Sequence, residues 1–469
     1  MGQVSAARWA QEEFGGATIR DRRWRKRLVL VAAQAARRPG GKISEVVRSP
    51  AERQGAYGLL ESRSVTSAQV AAGMFGGCGR RAAREPFVFC PVDGSSLNLT
   101  DLAGIKGFGS VGTRSGGAVG LKVISALVVS PRGVPLGLSG QVWWARSKQR
   151  AQKHRSQRPP AEKEIWHWRE AMEQTRQTMS VHAPHTRAWF QLDREGDAWP
   201  VLEQADAGGH WFTIRGNHNR RVILPDGSKT YLRNLLDRQP VLASYRLPVS
   251  PGPNRSKRAA NMQIRACTAT LDFLDRRTAR HFTKTLHAVL AREANTTPAG
   301  EKPIEWLLLT NRPVDTEEHL QQVVYGYSLR WRIEDFHRTW KSGACRVEQS
   351  QLRSKESMVK WATILAAVAV RVERIKLLSR KEPDRLATDE FSAAELRAIT
   401  LLRFGKAAKQ HFSGDVIPTL AQATLWLAQI GGYTGKSSGG PPGSVIIARA
   451  LHEIEIAVRA IEAMDDSDE

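Results

Sequence analysis

The stretch Tyr327 to Lys341, YSLRWRIEDFHRTWK, restricts this chain more than any other. At 100° per residue on a helix, Tyr327, Arg330, Glu334 and Lys341 fall within about 60° of one another. Their offsets of three, four and seven residues are neighbour spacings on a helix surface. Trp331 and Arg338 fall close to the same stripe. One helix face therefore carries a single carboxylate among cations and aromatic rings. A glutamate in that company is either the acid of an internal ion pair or a metal ligand beside a phosphate, and spacing alone leaves both open.

The charge balance narrows the partner. The 469 residues carry 70 Lys and Arg against 46 Asp and Glu, a net charge of +24. That excess favours a polyanion, and nucleic acid above all. Four scattered cysteines with no CxxC pair argue against a zinc site or a disulfide framework and fit a reducing, cytoplasmic setting. The first residues hold no apolar h-region of a secretory signal. The longest apolar run, Trp361 to Val370, is too short to span a bilayer. GGYTGKS at 431–437 lacks the first glycine of a phosphate-binding loop, since Ile430 stands there, so no nucleotide cofactor is expected.

Taken in order, residues 1–75 read as small basic helices, a composition suited to DNA docking, with Ser49-Pro50 opening one of them. Residues 71–85, rich in glycine and arginine, read as a linker. PFVFCPVD then reads as a strand covered on both faces, Phe87 to Val92, that ends in Asp93. A hairpin turns at Pro131-Arg132-Gly133, a basic loop fills 147–160, and Glu162 to Ser180 reads as an amphipathic helix. TRAWFQL is a second buried strand and ends in Asp193; WFTIR is a third and ends in Arg215. Short alternating strands fill 220–309. Their loop SPGPNRSKRAAN offers Arg255, Lys257 and Arg258 to a phosphate backbone. One helix is expected from about Glu317 to Lys341 and another over Glu356 to Leu378. A charged linker then leads to a helical C-terminal region. There Ile447, Leu451, Ile454, Val458 and Ile461 step by four and three, a short heptad seam that either packs internally or pairs two chains.

Tyr, two residues, Arg, three residues, Glu, six residues, Lys is the YREK motif of DDE transposases, and RWRIEDFHRTWK resembles the corresponding helix of the Tn-five-like insertion-sequence transposases of bacteria. DGSSL at Asp93 resembles the family's DTTSL, differing by small-for-small exchanges. Gln141, Trp143, Trp144 and Arg146 match its QxWWxR, and DREGDAW resembles its DREAD. WAQEEF, RLVLVAAQAA and GAYGLLES resemble its end-binding domain.

The resemblance implies an α/β chain with an RNase-H-like, retroviral-integrase-type catalytic core at 76–380. A β-strand insertion at about 216–310 interrupts the core, and helical domains at 1–75 and 381–469 flank it. It implies Asp93, Asp193 and Glu334 as catalytic ligands of two Mg²⁺ ions, with Mn²⁺ able to substitute, and places Arg194 and Asp197 beside them. Arg215, Tyr327, Arg330, Arg338 and Lys341 become DNA contacts. Trp306, 21 residues before Tyr327, stands where the family has a tryptophan that stacks on a flipped base. The implied partners are transposon-end and target double-stranded DNA and a second copy of the chain, joined partly by the C-terminal seam. The implied activity is cut-and-paste transposition. A plain RNase-H-like nuclease and a non-catalytic DNA-binding inhibitor are the alternatives; the three acids and the intact YREK weigh against the second.

Overall fold

Strand β1 (Phe87–Asn98) is apolar on both faces: Phe89 and Leu97 enter one core, Val88, Cys90 and Val92 the other. Such a strand belongs inside a sheet with helices on each side. The computed structural model, which describes residues 6–112, 117–146, 163–275, 280–435 and 440–465, has that architecture. β1 pairs antiparallel with β3 (Val119–Val129), which carries the short β2 (Gly109–Ser110) and β4 (Pro135–Trp144) along its other edge. On its opposite side β1 pairs in parallel with β5 (Arg187–Leu192), and β5 with β6 (Trp211–Arg215). Helices α6 (Ile165–His182) and α7 (Trp199–Asp206) cover the face bearing Val88 and Phe190.

The sheet does not stop at β6. β12 (Glu305–Thr310) pairs antiparallel with β6, β11 (Arg280–Glu293) with β12, and the long β10 (Arg258–Asp275) with β11. β7 (Arg221–Ile223) and β9 (Ala243–Val249) both pair with β10, β8 (Lys229–Tyr231) pairs with β7, and α8 (Leu232–Asp237) follows. The strands read from sequence as an insertion thus continue the same sheet, covering the edge that β6 would otherwise leave unpaired.

Helices α1 (Ala6–Phe14), α2 (Arg22–Arg37), α3 (Ile43–Val46) and α4 (Pro50–Glu61) precede the sheet. Asp21 caps α2 and Ser49 caps α4, with Pro50 at the first helical position where its missing N–H costs nothing. The stretch expected as a linker is instead helix α5 (Ser67–Ala82), started by a Thr66–Gln69 capping box. Its glycines permit close approach rather than flexibility: a Cβ on Gly79 would lie 2.5 Å from Cβ of His182 on α6.

The single helix expected over 317–341 is two, α9 (Glu317–Ser328) and α10 (Trp331–Lys341). Leu329 and Arg330 keep nearly helical dihedrals, but the Arg330 N–H bonds the Tyr327 carbonyl and the Ile333 N–H bonds the Arg330 carbonyl, each three residues back. This tightened turn re-aims the chain between the motif's tyrosine and its glutamate. Gly326 lets α9 sit directly on β1, since a Cβ there would fall 2.4 Å from the Phe89 ring.

Helix α11 (Lys355–Lys381) is buried along most of its length, with Trp361, Ile364, Leu365 and Val368 fully enclosed. Around it pack α12 (Ala393–Phe404), α13 (Leu420–Ile430) and α14 (Ser444–Asp465). The charged stretch before α12 is tied down rather than loose: Arg374 pairs with Glu390 at 2.8 Å, Arg385 with Asp389 at 2.7 Å, and Phe391 is fully buried. The heptad seam settles between its two readings. Ile447, Leu451, Ile454, Val458 and Ile461 are all buried within the chain, and Arg37 of α2 reaches Glu462 of α14 at 2.8 Å. The expected pairing of two chains through that seam is therefore corrected: its apolar atoms already have partners. No helix among the described residues is long and apolar enough to cross a membrane.

Candidate active site

Asp93 and Asp193 come together through strand register. The last parallel pairs between β1 and β5 are Pro91 with Gln191 and Val92 with Leu192, so each aspartate is the next residue on its strand. The expectation that Asp93 ends its strand needs correction. β1 continues to Asn98 along β3, with Asp93 opposite Ser125, while its parallel neighbour stops. Asp93 thus stands where β1 loses one neighbour and gains an open side. Asp193 begins the turn Arg194–Gly196, its Oδ1 accepting the Glu195 N–H at 2.8 Å. By the alternation of a strand, Asp93 shares the face of Phe89, which α9 covers.

Glu334, in the first turn of α10, arrives on that face. Arg330 ties it there, donating to Glu334 Oε1 at 2.6 Å and to Asp93 Oδ2 at 3.3 Å. Glu334 is thus ion-paired in this structure and also borders the aspartates. Tyr327 is buried, and its hydroxyl faces the guanidinium groups of Arg215 and Arg330. The half-buried ring of Trp306 meets Tyr327 edge-on at 5.3 Å. Arg215 is held from behind by the Glu305 carbonyl at 3.0 Å.

Burial, then the charge of Asp193, pushes the Asp93 carboxyl up to about 7; Glu334 adds to this, and Arg330 opposes it. Burial, the largest single influence on Arg330, pulls it down, but Tyr327, Asp93 and Glu334 together raise it above its ordinary value. Among the described residues, no three His, Cys, Asp or Glu side chains already stand at metal-holding separation. The chemistry of the donors nevertheless fits a hard divalent cation: carboxylates from three elements, mutually repulsive and held by one bridging arginine. A cation would take over the neutralising role Arg330 now has, and release that guanidinium toward a phosphate.

The other expected contacts divide. Arg338 and Arg194 are exposed, Arg338 lying 3.5 Å from Asp335. Lys341 lies 3.8 Å from Glu348, whose Oε1 accepts the Asn98 N–H at the far end of β1. Asp197 precedes α7 rather than lying within it. It is buried as a clip, paired with Arg220 and accepting the Asn217 and His218 N–H groups. Arg255 and Lys257 are exposed, but Arg258 is not available as expected: it is spent on Glu293 and Glu301, both at 2.7 Å. The basic loop 147–160 lies outside the described residues. Glu305 escaped the sequence reading. Beside Trp306, it receives Arg292 at 2.7 Å and also Arg233, and so braces the strand that presents the tryptophan. Alternation along EWLLLT carried the only signal for it.

Two family models match the chain. One, described as Transposase DNA-binding, covers residues 6–65. The other, described as Transposase DDE domain, covers residues 137–371, half of the chain, and takes in Asp193 and Glu334. Asp93 lies ahead of that match, so its place beside the other two acids rests on the register of β1 against β5. With a DNA-binding unit in front and a DDE unit over half its length, this chain belongs to the DDE transposases.

Proposed function

We propose that the protein is the transposase of a bacterial insertion sequence of the Tn-five-like class, acting by cut-and-paste. In this reading residues 1–75 hold the element's inverted-repeat end, 76–380 cut and join it, and 381–469 complete the assembly. Each end is nicked by water. The freed 3′-hydroxyl attacks the opposite strand to give a hairpin, the hairpin is reopened, and the 3′-hydroxyl joins target DNA.

Asp93, Asp193 and Glu334 would hold two divalent cations, Mg²⁺ with Mn²⁺ as substitute, which when bound activate the attacking oxygen and stabilise the leaving one. The remaining roles fall to the chain itself. Arg330, freed from Glu334, and the exposed Arg338 hold phosphate oxygens; Lys341 does so at the end of α10. Tyr327, oriented by two arginines, donates to a phosphate. Arg215 holds the strand beside it, with Arg194 at the rim and Arg255 and Lys257 further out. Trp306 offers a ring face to an extruded base.

The observation that carries this reading is the meeting of Asp93, Asp193 and Arg330-bound Glu334 on one face of the sheet. A homodimer on two paired ends completes the proposal, through a surface other than the internal 447–461 seam. Purified protein, the inverted repeats flanking its gene as labelled duplexes, Mg²⁺ and a target plasmid test it. Joined products support transposition. Cleavage without any joining would make it a nuclease, and binding without cleavage an inhibitor. So basic a surface should also bind more weakly as salt rises.

A further inference from the structure

Leu102 and Ile105 are the most exposed large apolar side chains among the described residues, at 99% and 81%. They do not sit on a slack loop. Asp101 accepts the Ile105 N–H through Oδ1 and the Lys106 N–H through Oδ2, each at 3.2 Å, and its carbonyl accepts the Gly104 N–H. Lys106 Nζ bonds the Thr100 carbonyl at 2.9 Å. Leu99 on one side and Phe108 on the other are buried and anchor both ends. A built turn therefore holds two aliphatic side chains out in water, at an energetic cost that no contact among the described residues offsets.

Its position indicates what covers it. The turn follows β1, the strand of Asp93, and its Lys106 carbonyl accepts the Lys355 N–H at the start of α11. That same helix start binds the DNA-binding side of the molecule: Glu356 accepts the Ser67 N–H at 2.6 Å, and Lys360 Nζ donates to the carbonyls of Leu60 and Ser62. The turn is thus tied, through the start of α11, both to the strand of Asp93 and to the matched DNA-binding unit. Lys106, Lys355 and the exposed Arg63 and Arg353 belong to the segments that meet there. A convex aliphatic tip among cations suits a base stack: Leu and Ile wedges enter between base pairs, where unstacking is repaid by contact with a bent duplex.

We infer that Leu102 and Ile105 form a wedge that inserts between base pairs of the transposon end, between the end-binding helices and the catalytic acids. This rests on the transposase reading, and its test is separable from it. Duplexes carrying the inverted repeats, with 2-aminopurine at successive positions, are bound by the full-length protein without divalent metal, so no cleavage is needed. Fluorescence should rise at one or two neighbouring positions, where stacking is lost. Leu102→Ser with Ile105→Ser should abolish that rise at saturating protein, with binding weakened by about tenfold and the melting temperature unchanged. Leu102→Met with Ile105→Leu should retain it. A rise that survives the serine variant, or binding with no rise at any position, overturns the wedge alone. A DNA-free dimer that the serine variant converts to monomer overturns it in favour of a contact between copies. Failure of the wild-type protein to bind any of these duplexes overturns the end-recognition reading, and the wedge with it.

Discussion

Val92 and Leu192 are the last paired residues of two adjacent parallel strands, and the next residue on each is an aspartate. Two carboxylates so placed repel each other, and burial of Asp93 sharpens the conflict. The site is built at a cost to the metal-free fold.

That cost has a pH signature. The folded Asp93 carboxyl, raised to about 7, holds a proton that the unfolded chain releases from about pH 4 upward. Below pH 4 both states are protonated and Asp93 has no effect. Between 4 and 7 its destabilising contribution grows, and above 7 it is fully present. Asp93→Asn should therefore raise the melting temperature of metal-free protein at pH 8 by roughly a few degrees, with the gain gone near pH 4. An unchanged or lower melting temperature at pH 8 would contradict the electrostatic account.

Arg330 occupies the charge-balancing place between Glu334 and Asp93. Arg330→Gln should remove a competitor of the metal, so that Mn²⁺ binds on the order of tenfold more tightly by calorimetry, while cleavage falls for want of a phosphate ligand. Weaker Mn²⁺ binding would mean that Arg330 supports the metal site rather than competing with it.

Much of this was legible in the sequence, for identifiable reasons. An Asp after a buried strand is by itself more often a turn former than a site, so Asp93 and Asp193 stand out only through the resemblance of DGSSL and DREGDAW to the family's motifs, and the register that joins them leaves no local trace at all. The break at Leu329 and Arg330 was hidden because a single tightened turn hardly disturbs helical periodicity. The glycines of α5 give its sequence the look of a linker, and the Thr66–Gln69 capping box is the signal against that. A heptad seam shows that a face is buried, not which chain buries it, and here the answer is this one.

The internal seam makes its own prediction. Leu451→Ala should cost about 2–5 kcal/mol of stability, as a buried leucine does, and lower the melting temperature of protein free of DNA. Ile456→Asp, at a position 60% exposed on the same helix, should leave it unchanged. If Leu451→Ala shifts only the monomer–dimer balance, the seam is an interface after all.

Trp306 meets Tyr327 edge-on and remains half-buried, so a ring face can still receive a base. Trp306→Ala should nick nearly as fast as wild type and slow hairpin formation by up to about a hundredfold, the worth of roughly 1–3 kcal/mol of stacking. An abasic site at the flipped position should partly restore the rate. Equal loss of both steps would make it a core residue.

The central claim is that Asp93, Asp193 and Glu334 act as one metal-dependent unit. Single-turnover nicking of a labelled inverted-repeat duplex in Mg²⁺, alongside gel-shift binding of the same duplex, measures it. Asp93→Ala, Asp193→Ala and Glu334→Ala should each abolish nicking, and the double and triple variants should bind the duplex as wild type does and be no worse than the singles. Substantial nicking by any one of the three single variants would contradict the assignment.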